Sequence, residues 1–158
     1  MKIPDASAAA AVLPPGTAGT VDHIGIAVTD LEAGVRLYRD LLGLELERIE
    51  EVPTEKVRVA MLKLDRAGAL GHLELLQPTA SEGAIAKFIA KRGPGLHHIA
   101  VAVLDIEAVM AACAAAGLDL LDRTPRTGAG GRRVAFVHPK STGGVLLEIC
   151  APAPGGIA

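Results

Sequence analysis

Two histidines and two glutamates occupy matching places in two similar parts of the sequence. His23 and His98 are 75 residues apart, and Glu74 and Glu148 are 74 residues apart. Imidazole nitrogens together with carboxylate oxygens suit a borderline divalent metal such as Co, Ni, Zn or Mn. Four protein ligands on an octahedral ion would leave two positions for substrate oxygens. For any one of these residues alone, an ordinary buried histidine or a glutamate at a strand end is the better interpretation, but for all four at matching positions we predict one metal site.

The matching places belong to an internal duplication. The segment 22–33 aligns with 97–108, and seven of the twelve positions are identical. Further on, 43–46 matches 117–120, and 72–76 matches 146–150, with one change of register by a single residue. The repeat therefore covers a whole structural unit and not only a short motif.

Each copy predicts the same order of elements, βαβββ. An apolar alternating strand (21–28 or 96–103) is followed by an N-cap aspartate and a helix (31–42 or 106–116) that ends at a glycine. Three further strands are predicted at 44–50, 56–64 and 72–77 in the first copy and at 118–122, 132–138 and 144–150 in the second. We predict an α+β fold: two tandem βαβββ modules, 21–78 and 96–150, that form a curved mixed sheet around a metal site, with a linker over 79–95 that carries a helix at 81–91.

Strand alternation places each histidine on a face with small residues. His23 shares its face with Gly25 and Ala27, and His98 shares its face with Ala100 and Ala102, while bulky aliphatic residues point the other way. Glu74 and Glu148 lie within apolar runs, where a carboxylate is costly to bury unless it is paired or bound to a metal. The pattern favours a ligand cavity on the histidine face.

Composition excludes several classes of protein. The chain has 158 residues, 50% hydrophobic, 2% aromatic, with a net charge of −2, so a nucleic-acid partner, which needs basic patches and stacking rings, is not expected. No apolar run is long enough for a membrane helix. Cys113 and Cys150 match no metal or redox spacing, and we expect buried thiols. Loose tails at 1–20 and 151–158 and a cytoplasmic location complete the prediction.

The stretch from Val21 to Cys150, about four-fifths of the chain, resembles the vicinal oxygen chelate superfamily, and most of all its methylmalonyl-CoA epimerases. The segments that carry the resemblance are Asp22–Val28, Glu74–Pro78, Ile85–Phe88, Gly95–Ile99, Gly128–Gly131, Phe136–Lys140 and Gly144–Glu148. The resemblance implies paired βαβββ modules around a divalent metal held by His23, Glu74, His98 and Glu148. It also implies an acyl-CoA substrate and a reaction, the conversion of (2S)- into (2R)-methylmalonyl-CoA through a metal-stabilised enolate. A homodimer would be in keeping with the family.

One position departs from the family pattern. Some epimerases carry a glutamate as second base on the middle strand, where this sequence has Val59. Inversion at carbon needs a base on one face and an acid on the other. We therefore expect Glu148 to act as one acid/base and Glu74 as the other.

Several other residues, and the function itself, allow more than one interpretation. His72 could line the pocket or be an edge residue, and His97 is expected to point away from His98, as a back-face or hydrogen-bonding residue. Arg132, Arg133 and Lys140 are candidate cations for a CoA phosphate or the substrate carboxylate, or ordinary surface charges. The alternative functions are a glyoxalase I-type lactoylglutathione lyase or another metalloenzyme of the superfamily, and a non-catalytic small-molecule binding or resistance protein.

Overall fold

The computed structural model describes residues 19–67 and 70–153. The chain divides into two compact units: a first module, Asp22–His98, and a second module that runs from Ile99 onward and includes the residues before Asp22. Most of the predicted tails lie outside the described residues. Thr20 already begins the first strand and Ala151 ends the last one, so each of these two strands takes in one residue of a predicted tail.

The first module follows the predicted order of elements. They are β1 (Thr20–Ala27), α1 (Leu31–Val35), β2 (Glu45–Val52), β3 (Val57–Lys63), β4 (His72–Pro78) and α2 (Ala84–Arg92). Asp30 caps α1, because its side chain accepts a hydrogen bond from the backbone N–H of Ala33. The predicted single helix over 31–42 is instead α1 continued by a π-helical segment, Arg36–Leu41. Gly43 then takes a positive φ of 77°, which ends the helix as expected.

The four strands of the first module lie in the order β2-β3-β4-β1. β1 runs parallel to β4, and the other neighbours are antiparallel. In this register Gly25 lies opposite Glu74, and Glu74 lies opposite Met61 of β3. The register therefore brings the small residues of β1 beside the carboxylate of β4.

The two faces of this sheet pack as strand alternation predicts. One face packs against α1 with the residues Leu31, Val35, Ala60, Leu62, Leu73 and Leu75, together with Ile24, Ile26 and Val28 at its margin. On the other face a second cluster forms with α2 from Ala27, Val57, Val59, Met61, Leu76 and Ile85. His23 and Glu74 belong to this second face by alternation, so helix α1 supports their strands from behind.

Strand β5 (Gly95–Ala102) is divided between the modules, since Gly95–His98 belong to the first and Ile99–Ala102 to the second. The second module continues with α3 (Ile106–Ala115), β6 (Arg126–Thr127), β7 (Arg133–Val137) and β8 (Leu146–Ala151), and so repeats the arrangement of the first. Its strands lie in the order β5-β8-β7-β6. Asp105 caps α3 by accepting from the N–H of Ala108, as Asp30 does in the first module. Val28 N–H donates to the carbonyl of Leu76 (2.9 Å), and at the repeat positions Val103 N–H donates to that of Cys150 (2.8 Å). These equivalences confirm the duplicated α+β fold.

One predicted strand of the second module is wrong. Residues 118–122 form only an isolated bridge between Leu120 and Val137, and the third strand is the two-residue β6. The reason is that the carboxylate of Asp122 accepts the backbone N–H of Phe136 (2.8 Å), which takes the place of a further backbone pairing along β7. The segment therefore follows β7 without becoming a regular strand.

The second module has a core of its own. Helix α3 packs against the sheet through Val103, Ile106, Val109, Met110, Ala135, Val137, Ile149 and Ala151. Cys150 is buried and Cys113 is half-buried, both as thiols, which agrees with the predicted role in packing. Among the described residues, no helix has the length and apolar character needed to cross a membrane.

Candidate metal centre

Three of the four predicted metal ligands converge within the first module. His23 lies on β1, Glu74 on β4 and His98 on β5, and their residues are 7%, 6% and 4% exposed. The Nε2 atoms of the two histidines are 2.9 Å apart. One carboxylate oxygen of Glu74, Oε2, lies 3.5 Å from Nε2 of His23 and 3.3 Å from Nε2 of His98. Three buried donor atoms thus face a common point.

The spacing of these atoms fits a divalent cation. Ligand atoms bind metals such as zinc at about 2.0–2.2 Å, so two neighbouring ligands on an octahedral or tetrahedral ion are about 3.0–3.5 Å apart. The three measured separations, 2.9, 3.3 and 3.5 Å, lie close to this range. Two imidazole nitrogens and a carboxylate oxygen also match the ligand preference of a borderline metal. The arrangement can therefore hold a metal ion, and it leaves the identity of the ion open.

The second ring nitrogen, Nδ1, of His23 and of His98 also has a hydrogen-bonding partner. Asp22 accepts a hydrogen bond from Nδ1 of His23 (2.7 Å), while Nδ1 of His98 lies 2.8 Å from Nδ1 of His97. Such partners fix the tautomer and the orientation of a ligating imidazole. They leave both Nε2 atoms directed at Glu74.

Burial and neighbouring charges shift the pKa values of two side chains in this cluster, Glu74 and His97. Burial raises the pKa of Glu74, but the hydrogen bond with His98 and the charges of His23 and His98 outweigh it, so its pKa is lowered. Burial first, and the charge of His98 second, lower the pKa of His97 to about 4. Glu74 is therefore a carboxylate and His97 a neutral imidazole at neutral pH. These are the protonation states that a ligand and its hydrogen-bonding neighbour require.

Gly25 provides the space for His98. A side-chain carbon at this position would lie 2.6 Å from Nε2 of His98 and closer still to two other atoms of the ring. The two imidazoles of His23 and His98 meet edge to face, with ring centroids 5.0 Å apart. The ring of His97 meets Phe88 of α2 in the same way, at 4.9 Å. A glycine at position 25, which has no side chain, allows the ring of His98 to approach β1 this closely.

Glu148, the fourth predicted ligand, lies in the second module. It is buried on β8, with 7% of its surface exposed, and it lies opposite Phe136 of β7. A carboxylate buried in an apolar strand requires compensation, as it does for Glu74 at the equivalent repeat position. Its role as a ligand therefore stays a prediction based on the repeat.

Val59 is a core residue. It is 1% exposed and packs with Ala27, Leu76 and Ile85 in the cluster under α2. The family position of a second base is thus occupied by an apolar side chain that the fold uses for packing. A proton transfer at this strand position is excluded by its chemistry.

The remaining candidate residues, His72 and three cations, differ in the side chains that they contact. His72 lies at the margin of the sheet, with 24% of its side chain exposed, and its Nε2 is 3.4 Å from a carboxylate oxygen of Glu47. Arg133 forms an ion pair with Glu107 of α3, and Nζ of Lys140 lies 2.9 Å from Asp119. Arg132 instead donates from Nη2 to Sγ of Cys150 (3.4 Å). Only Arg132 among these three cations points along the face that carries Glu148.

Asp22 was not among the predicted site residues, and the contact between His97 and His98 was not predicted. The signal for Asp22 was adjacency, since a carboxylate directly before a candidate ligand can reach its outer nitrogen. The prediction that His97 points away from His98 is wrong, because its Nδ1 lies 2.8 Å from Nδ1 of His98; the predicted hydrogen-bonding role is confirmed, with His98 itself as the partner. Strand alternation alone does not reveal such contacts, because it describes Cβ directions and not the reach of a ring.

Comparisons with known proteins agree with this arrangement. Residues 22–136 match the glyoxalase/bleomycin resistance protein/dioxygenase superfamily. An ethylmalonyl-CoA/methylmalonyl-CoA epimerase from Cereibacter sphaeroides is 37% identical over 83% of this chain and 96% of its own. A lactoylglutathione lyase from Haemophilus influenzae is 30% identical over 73% of this chain and 82% of its own.

A solved structure adds a likeness in three dimensions. A variant of Streptomyces coelicolor methylmalonyl-CoA epimerase, in complex with 2-nitronate-propionyl-CoA, matches with a TM-score of 0.80 and 40% identity. The match covers 87% of this chain and 99% of that one. The chain therefore belongs to the glyoxalase/bleomycin resistance protein/dioxygenase superfamily and, within it, to the family of the methylmalonyl-CoA epimerases.

Proposed function

We propose that this protein is a metal-dependent epimerase that interconverts (2S)- and (2R)-methylmalonyl-CoA. The observation that carries the proposal is the convergence of His23, Glu74 and His98 on one point, in a chain of the epimerase family. The hydrogen at C2 lies between a thioester and a carboxylate, so its removal leaves an anion that both groups can share. An enzyme of this kind must stabilise that anion and move one proton on each face.

The metal site is proposed to contain four protein ligands. His23, Glu74 and His98 supply three, and Glu148 supplies the fourth because it is the repeat equivalent of Glu74 and is equally buried. A bound Co, Ni, Mn or Zn ion would act as a Lewis acid for the negative charge that develops on the thioester oxygen. Asp22 and His97 hold the two imidazoles in the tautomer that directs Nε2 at the ion.

The proton transfers are assigned to the two glutamates. One of the two glutamates, as a carboxylate, accepts the C2 proton on its face, and the other, in its protonated form, returns a proton to the opposite face, which inverts the configuration. The duplicated fold supports this division because the two residues occupy equivalent strands of the two modules. Val59 leaves no carboxylate at the position that some epimerases use.

The substrate is proposed to be a branched malonyl-type thioester of CoA. The name of the Cereibacter relative includes ethylmalonyl-CoA, so the ethyl homologue is a natural second substrate to test. We also propose a cytoplasmic location, as expected from the sequence, and a homodimer, in keeping with the family. Neither is needed for the chemistry described above.

A lactoylglutathione lyase is the second candidate function. Two observations favour it: Glu74 is a carboxylate at a ligand position, and a protein of that name is 30% identical to this chain. Both reactions move a proton at a carbon next to a carbonyl. Activity on each of the two substrates therefore distinguishes these functions better than metal binding does.

Incorporation of deuterium at C2 tests the proposal. Metal-loaded protein is incubated with (2S)-methylmalonyl-CoA in heavy water, with an EDTA-treated sample as control, and NMR follows the C2 signal. We expect metal-dependent exchange together with loss of stereochemical purity. Bound metal without exchange would overturn the proposal, and activity on a glutathione hemithioacetal would then establish the lyase. Neither metal nor exchange would indicate a binding protein.

A further inference from the structure

Helix α2 lies outside the two βαβββ copies, in the linker between β4 and β5. The duplication does not require this helix, so its role must come from its contacts. Its Phe88 ring meets the ring of His97 edge to face, with centroids 4.9 Å apart and planes at 85°. His97 in turn lies directly before His98, a proposed metal ligand. The linker helix therefore contacts the side chain that adjoins the metal centre.

Helix α2 holds the ring of Phe88 in a defined place. Ile85, Phe88 and Ile89 recur at the spacing of one helical face, and all three pack in the cluster that contains Val57 and Leu76. Ile85 is 5% exposed and anchors this face at the start of the helix. The ring that His97 meets is thus packed against the core of the first module.

The connection from α2 to β5 is short. Gly93 N–H donates to the carbonyl of Ile89 (2.8 Å), and its φ of 79° ends the helix. Strand β5 begins at Gly95, so only Gly93 and Pro94 lie between the two elements. Proline restricts its own φ, which further limits the conformations of this connection. The position of α2 therefore fixes where Phe88 meets β5.

The position of the proton between the two adjacent histidines follows from metal binding. Nδ1 of His97 lies 2.8 Å from Nδ1 of His98, so one of these nitrogens must donate and the other accept. Nε2 of His98 lies 3.3 Å from Oε2 of Glu74, and as a metal ligand this nitrogen carries no proton. The proton of the His98 imidazole therefore lies on Nδ1 and is donated to His97. A neutral His97 then carries its own proton on Nε2.

The orientation of the His97 ring decides whether this hydrogen bond forms. A half-turn of the ring about its Cβ–Cγ bond would exchange Nδ1 with Cδ2, and a C–H group would then face the donor of His98. Edge-to-face contacts favour particular orientations of the two rings. The imidazole of His97 meets Phe88 at 85° and His98 at 87°, so its plane is held by rings on two sides.

We propose that Phe88 is a positioning residue for the metal centre. It holds the ring of His97 so that Nδ1 accepts the proton of His98, and it thereby directs Nε2 of His98 to a divalent cation. Partners of this kind tune the affinity of a ligating imidazole. The inference rests on the proposed function, since it concerns the same metal site. It assigns a role to the linker helix, which belongs to neither copy of the repeat.

Metal affinity of two Phe88 variants tests the role of the ring. Phe88→Leu keeps an apolar side chain and loses the aromatic contact, so we expect zinc affinity, measured by competition with a fluorescent chelator, to fall about 3- to 10-fold. Phe88→Tyr keeps the ring and should bind zinc like the wild type. Ile89→Ala is the matched control, because it removes an apolar side chain from the same helix and cluster and leaves both rings in place.

The tautomers of the histidines provide a readout that a general packing role would not change. NMR of zinc-loaded protein with ¹⁵N-labelled histidine reports which ring nitrogen carries each proton. In the wild type and in Phe88→Tyr we expect the proton on Nδ1 of His98 and on Nε2 of His97. In Phe88→Leu we expect His97 to show a mixture of its two tautomers. Circular dichroism verifies that each variant is folded.

The outcomes separate this inference from the proposed function. Equal losses of zinc affinity in Phe88→Leu and Ile89→Ala would assign the effect to packing of α2 in general. Unchanged affinity or an unchanged His97 tautomer in Phe88→Leu would show that the ring does not position His97; each of these results overturns the inference. Wild-type protein that binds zinc but does not exchange the C2 proton overturns the epimerase proposal and leaves the role of Phe88 intact.

Discussion

The imidazole of His98 occupies the space that a side chain at position 25 would need. A Cβ atom on Gly25 would lie 2.6 Å from Nε2 of His98, well inside van der Waals contact. Gly25 lies opposite Glu74 on the neighbouring strand, so one small residue of β1 makes room for a ligand beside the carboxylate. The geometry of the candidate metal centre therefore depends on a residue that contributes no ligand atom.

Gly25→Ala should disrupt the metal centre more than the fold. The added methyl must displace the ring of His98, and overpacking of this kind costs about 1–3 kcal/mol of stability. Because the ring carries a ligand atom, we expect the affinity for a divalent cation to fall about 10- to 100-fold, as it does when the support of a ligand is lost. Competition with a fluorescent chelator measures the affinity.

Gly34→Ala is the control for this substitution. Its methyl would meet the ends of two apolar side chains, Cδ1 of Leu75 at 3.0 Å and Cγ1 of Val28 at 3.8 Å, on the face covered by α1. We expect its metal affinity to equal that of the wild type. Wild-type metal affinity in the Gly25→Ala variant would show that His98 is not a metal ligand.

The carboxylate of Asp22 should increase the affinity of His23 for the metal. The hydrogen bond from Nδ1 of His23 to Asp22 (2.7 Å) holds the ring and raises the basicity of Nε2. Asp22→Asn keeps an acceptor oxygen and loses the charge, so we expect about a tenfold loss of metal affinity, while Asp22→Ala should approach a 100-fold loss. Asp40→Asn, at an exposed position paired with Arg39, is the control. Unchanged affinity in the alanine variant would contradict the role of Asp22.

Glu74→Gln separates metal binding from proton transfer. An amide oxygen can still bind a cation, but it cannot carry a proton between substrate and solvent. We expect the variant to retain metal and to epimerise about 10²- to 10⁴-fold more slowly, the usual contribution of a general acid or base. Metal content and the rate of C2 exchange are measured together, with Glu47→Gln at a half-exposed position as control. A variant with metal and the full rate would eliminate Glu74 as a proton carrier.

Much of the fold could be predicted because the same local signals for helices and strands occur at matching positions in both copies of the repeat. Asp30 and Asp105 cap their helices at matching positions, and Gly43 and Gly117 end them with φ angles of 77° and 76°. The faces of the strands followed from alternation, which is a property of any extended chain. Agreement between the copies made these local signals reliable.

The deviations arise from contacts that are remote in sequence or are made by side chains. The segment 118–122 has the composition of a strand, but the carboxylate of Asp122 accepts the N–H of Phe136, 14 residues away. The different faces reached by Arg132 and Arg133 could be predicted from alternation, whereas their partners, Cys150 and Glu107, required the structure. Hydrogen bonds of this kind depend on the tertiary fold, which no short window of sequence contains.

Val59→Glu tests whether the apolar residue at the family's second-base position is required by the fold. Val59 is 1% exposed and packs with Ala27, Leu76 and Ile85, so a carboxylate there would be buried without a partner in that cluster. We expect a loss of about 3–5 kcal/mol in the free energy of unfolding, the usual cost of an uncompensated buried charge. Val59→Thr, which is similar in shape and uncharged, should lose less. Urea denaturation measures both, and a stable glutamate variant that accelerates C2 exchange would show instead that this position can supply the second base and that Glu74 is not needed for it.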